Sequence, residues 1–308
     1  MKTVGISANI IAEHVTQYGI TLNRLYNPDK NQIFYTGLDG QIYYLLQEID
    51  GSWTQYHVNP PNAPYRANSS TSIVHFNGSY YLFFTDATLP GGEQVCYFTS
   101  ENALDWTSPK IQLYSGVNAS SGPAAVVFKG RMYLFYKGMT APNSGNSKIF
   151  SVSTGDGTNW DQLNKQLPDN VNTDASPVPF ATSNRLFVLY KGWDGDYQLY
   201  WISSADGVNW DPMNTRTPLQ SSCSPAAFLA PGATTVYLLL NKLHGNIVQT
   251  SAELSSGKFV WSEEEVDTAQ QTDKQPAIAL QDNGSLLLAW KGNGNEDISV
   301  GSISAAGK

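Results

Sequence analysis

The chain repeats itself, and the repeat decides what it can fold into. The segment SGPAAVVFKGRMYLFYKG (121–138) is answered by ASPVPFATSNRLFVLYKG (175–192), by CSPAAFLAPGATTVYLLLNK (223–242) and by KQPAIALQDNGSLLLAWKG (274–292), with a more distant copy, STSIVHFNGSYYLFFTD, over 70–86. Each unit reads as a short apolar strand after Pro or Ser, a turn carrying Gly or Asn, and a second strand such as YLFYK. A variable loop, a third strand such as QLYWIS, an Asp-Gly turn and a Trp opening a fourth strand complete it. Trp53, Trp106, Trp160, Trp210 and Trp261 recur at intervals of about 50 residues, and four strands per unit at that period is the signature of a β-propeller blade. The helical spacing that a solenoid of helix pairs would need is missing.

The ends set the blade number. Another period beyond Trp261 would pass Lys308, so the last unit holds three strands, while TVGISANII near the start belongs to no complete unit. The expected fold is therefore all-β: a six-bladed β-propeller of four-stranded antiparallel blades, its ring closed by the N-terminal strand completing the last blade, which leaves no long open edge. The expected blades are approximately 16–66, 67–116, 117–171, 172–219, 220–269, and 270–308 with 1–15, together a single propeller domain.

Composition excludes several functions. With 308 residues, 41% hydrophobic and 14% charged, the chain can bury a large core and is not a disordered segment. A formal net charge of −8, with no Lys/Arg run interleaved with aromatics, speaks against nucleic acid as a partner. The start meets Glu13 and His14 before any long apolar run builds. No secretory leader or membrane span is expected, and the encoded chain reads as cytoplasmic unless released by a non-classical route. Cys96 and Cys223 stand alone, and His14, His57, His75 and His244 are scattered. Two free thiols, no metal and no cofactor follow as expectations. The one cation candidate is WDGDY (193–197), whose two Asp and a Gly more often make a turn than a Ca²⁺ loop.

SADGVNW (204–210) and STGDGTNW (153–160) resemble the Asp-box of sialidase-like, BNR-type propellers, one residue short between Asp and Gly; SENALDW (100–106) is a degenerate copy. Physically, the Asp carboxylate accepts backbone N–H groups across a tight turn, Gly supplies a positive φ and Trp packs between blades. Asp156, Gly157, Asp206, Gly207, Trp160 and Trp210 are thus assigned to folding, on the face opposite the ligand loops. The first unit, FYTGLDGQIYYLLQEIDGSWTQY, is similar to blades of bacterial and fungal propeller lectins, a resemblance that implies sugar pockets between neighbouring blades. The YLFYKG and SADGVNW blades are also similar to repeats in bacterial proteins, some of them encoded with toxin-like modules.

The ligand face carries the loops entering each blade and those joining second to third strands. Lys137, Lys191, Lys242 and Lys291 read as equivalent there, with Asp174 and Asp273 equivalent in two blades. One reading has these lysines paired structurally with nearby Asp and carbonyl groups. The other makes them donors around a sugar site, with Trp193, Tyr197 and Trp290 as flat apolar surfaces and Asp194, Ser121, Ser176 and Ser224 adding hydrogen bonds. Sialidase chemistry is disfavoured, because Arg131 and Arg185 fall on the wrong face and Arg24, Arg66 and Arg216 lie in no sialidase-type motif. Another glycosidase needs two carboxylates about 5 Å or about 6.5–9.5 Å apart, which Asp174, Asp194, Asp196 and Asp273 could supply, Asp174 and Asp273 being the weak catalytic candidates. The function expected is a lectin-like propeller binding glycans or glycoconjugates multivalently; the alternatives are a scaffold for a protein partner and a glycoside hydrolase.

Overall fold

A strand such as Leu186–Lys191, LFVLYK, buries every side chain, which a sheet with one wet face does not allow. Both faces of each sheet must therefore be covered, and in this fold neighbouring sheets cover them. A computed structural model describes residues 2–3, 6–13, 15–26, 29–59, 63–89, 93–107, 110–114, 117–141, 144–161, 163–255 and 258–304. Six antiparallel meanders stand around a central axis. Blade 1 holds Thr21–Tyr26, Asp29–Thr36, Ile42–Gln47 and Trp53–His57; blade 2 holds Ser72–Phe76, Ser79–Asp86, Gln94–Ser100 and Ile111–Gln112. Blade 3 holds Ala124–Phe128, Arg131–Ala141, Ser144–Thr154 and Lys165–Gln166; blade 4 holds Val178–Ala181, Leu186–Lys191, Gln198–Ser204 and Thr215–Gln220. Blade 5 holds Ala226–Leu229, Thr235–Asn241, Asn246–Ser255 and Val266–Gln271, and blade 6 holds Ala277–Leu280, Ser285–Lys291 and Ile298–Ser304.

The N-terminal segment closes the ring. Asn9–Ala12 pairs antiparallel with Ile298–Ser304, Asn9 opposite Val300 and Ala12 opposite Ile298, and supplies the fourth strand of blade 6. It does more than the repeat implied, since Lys2–Thr3 also runs parallel to Val266–Gln271 of blade 5.

The core is divided into six clusters, each shared by two adjacent blades. Phe34 and Ile42 of blade 1 meet Leu82 and Phe84 of blade 2, and the series runs round to Ile33 and Tyr35 of blade 1 against Leu287 and Ala289 of blade 6. Aromatic side chains key the junctions: Trp106 meets Phe34 edge-on at 5.6 Å, Trp160 meets Phe83 at 5.8 Å and Trp210 meets Phe135 at 5.7 Å. Two details depart from the repeat pattern. Trp160 and Trp210 do not open the fourth strands; each makes an isolated bridge, to Thr154 and Ser204, and the ladders resume at Lys165 and Thr215. Trp261 lies in an additional strand, Lys258–Trp261, that extends the third strand of blade 5 into a hairpin. There Phe259 takes the inter-blade place, edge-on to Trp201 at 5.2 Å.

The Asp-Gly turns are held from within. Asp206 Oδ1 accepts from the backbone N–H groups of Val208 and Asn209, at 2.8 and 2.7 Å, and Oδ2 accepts from Asn209 Nδ2 at 2.7 Å. Asp156 repeats the arrangement with Thr158 and Asn159. Gly157 and Gly207 sit at φ 87° and 77°, and a Cβ on either would collide with the hydroxyl of Tyr81 or Tyr133 from the preceding blade. Among the described residues no helix is long and apolar enough to cross a membrane.

Candidate functional site

In an antiparallel meander, first-to-second and third-to-fourth turns share one end of the blade, while entering loops and second-to-third loops share the other. Strand register fixes what the last turn of each second strand presents at that second end. Pairing Thr21 with Phe34, Ser72 with Phe83, Ala124 with Phe135, Val178 with Leu189, Ala226 with Leu239 and Ala277 with Ala289 makes Thr36, Thr85, Lys137, Lys191, Asn241 and Lys291 equivalent. All six are buried. Lys242 is therefore not a member of this ring, contrary to the repeat alignment. It is one residue further on, and a shift of one turns a strand side chain to the other face. Asn241 holds its blade's place, donating to the Thr272 carbonyl at 2.8 Å, whereas Lys242 pairs with Glu265 at 2.7 Å.

The ring members reach for the entering loops. Thr85 donates to Asn68 Oδ1 at 2.6 Å. Lys191 Nζ donates to both oxygens of Asp174, at 2.7 and 2.8 Å, and Lys291 Nζ to Asp273 at 2.7 Å and the Gly292 carbonyl at 3.1 Å. Asn68, Asp174 and Asp273 each stand three residues before the residue that opens the first strand's approach: Thr71, Pro177 and Pro276. In blade 3 that position is Ser120, three before Pro123, and its hydroxyl donates to the Gly138 carbonyl at 2.8 Å. Among the described residues Lys137 Nζ has no hydrogen-bond or ion-pair partner. It lies 5.6 Å from the centre of the Trp193 ring. Burial pulls its pKa below the usual lysine range, opposed by the charges of Asp174 and of Glu93 from blade 2. Glu93 accepts from Asn68 Nδ2 at 3.1 Å, and burial pushes its carboxyl up.

The loop after Lys191 presents the aromatics. Asp194 and Gly195 adopt φ 58° and 77°, and Asp196 accepts from the Gln198 N–H at 2.9 Å and from Tyr200 Oη at 3.0 Å. The turn so fixed leaves Trp193 and Tyr197 each 43% exposed, Trp193 towards Lys137 and Tyr197 with its ring 5.2 Å from Lys191 Nζ. Tyr197 is also one wall of a cavity of about 250 Å³ between blades 4 and 5, with Gln220, Ser222, Lys242, Leu243 and Glu265. Asp194 is exposed on the turn itself. Ser176 instead faces the central channel, a polar cavity of about 160 Å³ to which every blade contributes, for example Thr21, Ser72 and Gln275; its carbonyl accepts from Ser224 Oγ at 3.0 Å.

Trp290 belongs to none of this. It is 2% exposed and packed with Ile6, Leu239 and Leu288 in the cluster between blades 5 and 6, because it precedes Lys291 on the strand and so points to the opposite face. Sequence reasoning missed Glu93, Glu265 and Ser120. The first two lie outside the quoted repeats, but Ser120 was detectable as the position where blade 3 lacks the Asp of blades 4 and 6. Cys96 is buried, Cys223 is half-buried, and both are free. Among the described residues no group of three or more His, Cys, Asp or Glu is arranged to hold a metal ion; His14 lies outside them.

The fold and this loop face define a six-bladed propeller with a cavity walled by Tyr197 between blades 4 and 5. The chain belongs to the DUF6242 beta propeller domain family, whose profile matches residues 100–276. No curated protein matches it by sequence. Among solved structures it is similar to the Penicillium chrysogenum α-L-arabinanase complexed with arabinobiose, with a TM-score of 0.73, 12% identity and 98% of each chain covered. It is also similar to a Fusarium graminearum α-L-arabinofuranosidase in complex with an iminosugar inhibitor, at 0.71 and 13%, covering 99% of this chain and 98% of that one. The fucose-recognising lectin of Aleuria aurantia, a six-bladed propeller, matches at 0.60 and 11%, covering 97% and 99%.

Proposed function

We propose that the chain is a lectin-like propeller that binds glycans on its loop face without hydrolysing them, centred on the 192–197 loop of blade 4. The observation that carries this reading is the pair of exposed rings, Trp193 and Tyr197, on a hydrogen-bonded turn, each beside a buried ammonium group. Sugars present C–H faces that stack on aromatic rings and hydroxyls that seek charged or amide partners. The blade 4–5 cavity offers such partners in Gln220, Lys242 and Glu265. The fold's likeness to sugar-bound propellers of both kinds, lectin and glycosidase, is consistent with a saccharide ligand, and the Asp-Gly turns are read as Asp-box-type folding elements outside the site.

Hydrolysis is not part of the proposal. Asp174 and Asp273 are each occupied by the lysine of their own blade, and blades 4 and 6 do not adjoin. A glycan array with the folded chain tests the reading. Hits are expected, with Trp193→Ala and Tyr197→Ala each weakening them about tenfold, the loss of roughly 1.4 kcal/mol of stacking and burial. A blank array from folded protein would discard the reading and direct attention to a protein partner.

A further inference from the structure

The three ring lysines share a fold position but not a partner. In blades 4 and 6 the chain supplies a carboxylate, Asp174 or Asp273, directly to the ammonium group. Blade 3 supplies Ser120, with a hydroxyl where the aspartates have a carboxylate, and leaves Lys137 nine-tenths buried with neither a hydrogen bond nor an ion pair among the described residues. Two further groups on the same entering loop, Ser121 Oγ and Asn118 Oδ1, are buried without a hydrogen-bond partner. A buried cation is costly unless something pairs with it.

Blade 4 shows what a complete arrangement looks like: Lys191 beside the Tyr197 ring, with both Asp174 oxygens accepting from Nζ. Blade 3 has the lysine and the ring, Lys137 and Trp193, but no described carboxylate in contact with the ammonium; the charges of Asp174 and Glu93 reach it only from beyond ion-pair distance.

We propose that Lys137 anchors the carboxylate of an acidic sugar, a uronic-acid unit of an oligosaccharide, in the place that Asp174 and Asp273 fill in their own blades. Trp193 takes the apolar face of the same ring. This rests on the glycan reading above and names the chemical class of its ligand. The formal net charge of −8 repels acidic polymers at long range, so retention of one reports a local contact.

The test is calorimetric titration of the folded chain with three uronate oligosaccharides (oligogalacturonate, alginate-derived and glucuronate-containing) and with their carboxyl-reduced counterparts at matched ionic strength. At least one acid should bind ten or more times tighter than its reduced form. Lys137→Met should erase that preference. Ser120→Asp, which installs the internal carboxylate, should erase it too while raising the thermal midpoint, so the result does not hang on one variant's folding. Acid preference surviving in either folded variant overturns the proposal. Neutral glycans binding as well as the acids overturns it and leaves the glycan reading standing; no binding of either kind overturns it too, and the glycan array then decides the glycan reading by itself.

Discussion

Lys191 and Lys137 are one residue of the repeat in two electrostatic settings, and stability should separate them. Lys191→Met strips Asp174 of its partner. A fully buried pair broken in this way costs about 3–5 kcal/mol, but the Asp174 side chain keeps 32% of its exposure and is partly rehydrated, so about 2 kcal/mol is expected. Lys137→Met removes an ammonium that burial disfavours, and the urea midpoint should stay or rise. Equal losses in the two variants would mean that Lys137 has a partner equivalent to Asp174. How far such residues were legible follows from strand parity. Lys191, Lys291 and their aspartates were readable because the string KG keeps register across blades 3, 4 and 6. Lys242 and Trp290 misled because NK and WK share letters with that string while their side chains leave the strand on other faces. Ser120 carried its information as a missing charge, which only a blade-by-blade comparison exposes.

The turn between third and fourth strands acts as a unit, and acid is the lever that tests it. Hydrogen bonds from Asn159, the Asn159 and Thr158 N–H groups and Thr154 hold the Asp156 carboxyl well below the usual carboxylate range, and Asp206 is lowered in the same way, led by the N–H groups of Asn209 and Val208. A carboxyl whose folded pKa is depressed contributes stability that is fully present above its unfolded value, 3.8, and is lost as pH falls from there through the folded value. The urea midpoint should therefore decline below about pH 4. In the double variant Asp156→Asn/Asp206→Asn the midpoint should start lower at pH 7 and fall less steeply between pH 4 and 2. A variant with the wild-type slope would place the acid sensitivity elsewhere. These turns were the most legible element in the sequence, because Asp, Gly and Trp each have a local physical task. The Lys258–Trp261 hairpin was not, because Trp261 kept the repeat's period after the strand around it had changed its pairing.

At the scale of the whole molecule, each blade is buried only by its neighbours, so stability resides in six interfaces, and the chain's first residues serve two of them. Ile6 packs in the cluster between blades 5 and 6, Ile11, Ala12 and Val15 pack against the one between blades 6 and 1, and Gln270 Nε2 donates to the Ile6 carbonyl at 3.2 Å. Removing residues 1–12 should uncover the edge of Ile298–Ser304, a template for pairing with another chain, and weaken both interfaces together. The expected outcome is a lower thermal midpoint with concentration-dependent light scattering. A circular permutant keeps every strand and moves only the break. Joined from residue 308 to residue 1 through a Gly/Ser linker, it would be opened in the exposed turn at Asp50–Gly51, where Gly51 meets nothing within 4 Å. It should melt close to the natural chain and show no concentration-dependent light scattering beyond that of the natural chain, because closure depends on the strand being present in blade 6 and not on where the chain is broken. A truncation as stable as the full chain would show that three strands suffice for blade 6 and that the N-terminal segment is not needed to seal the ring.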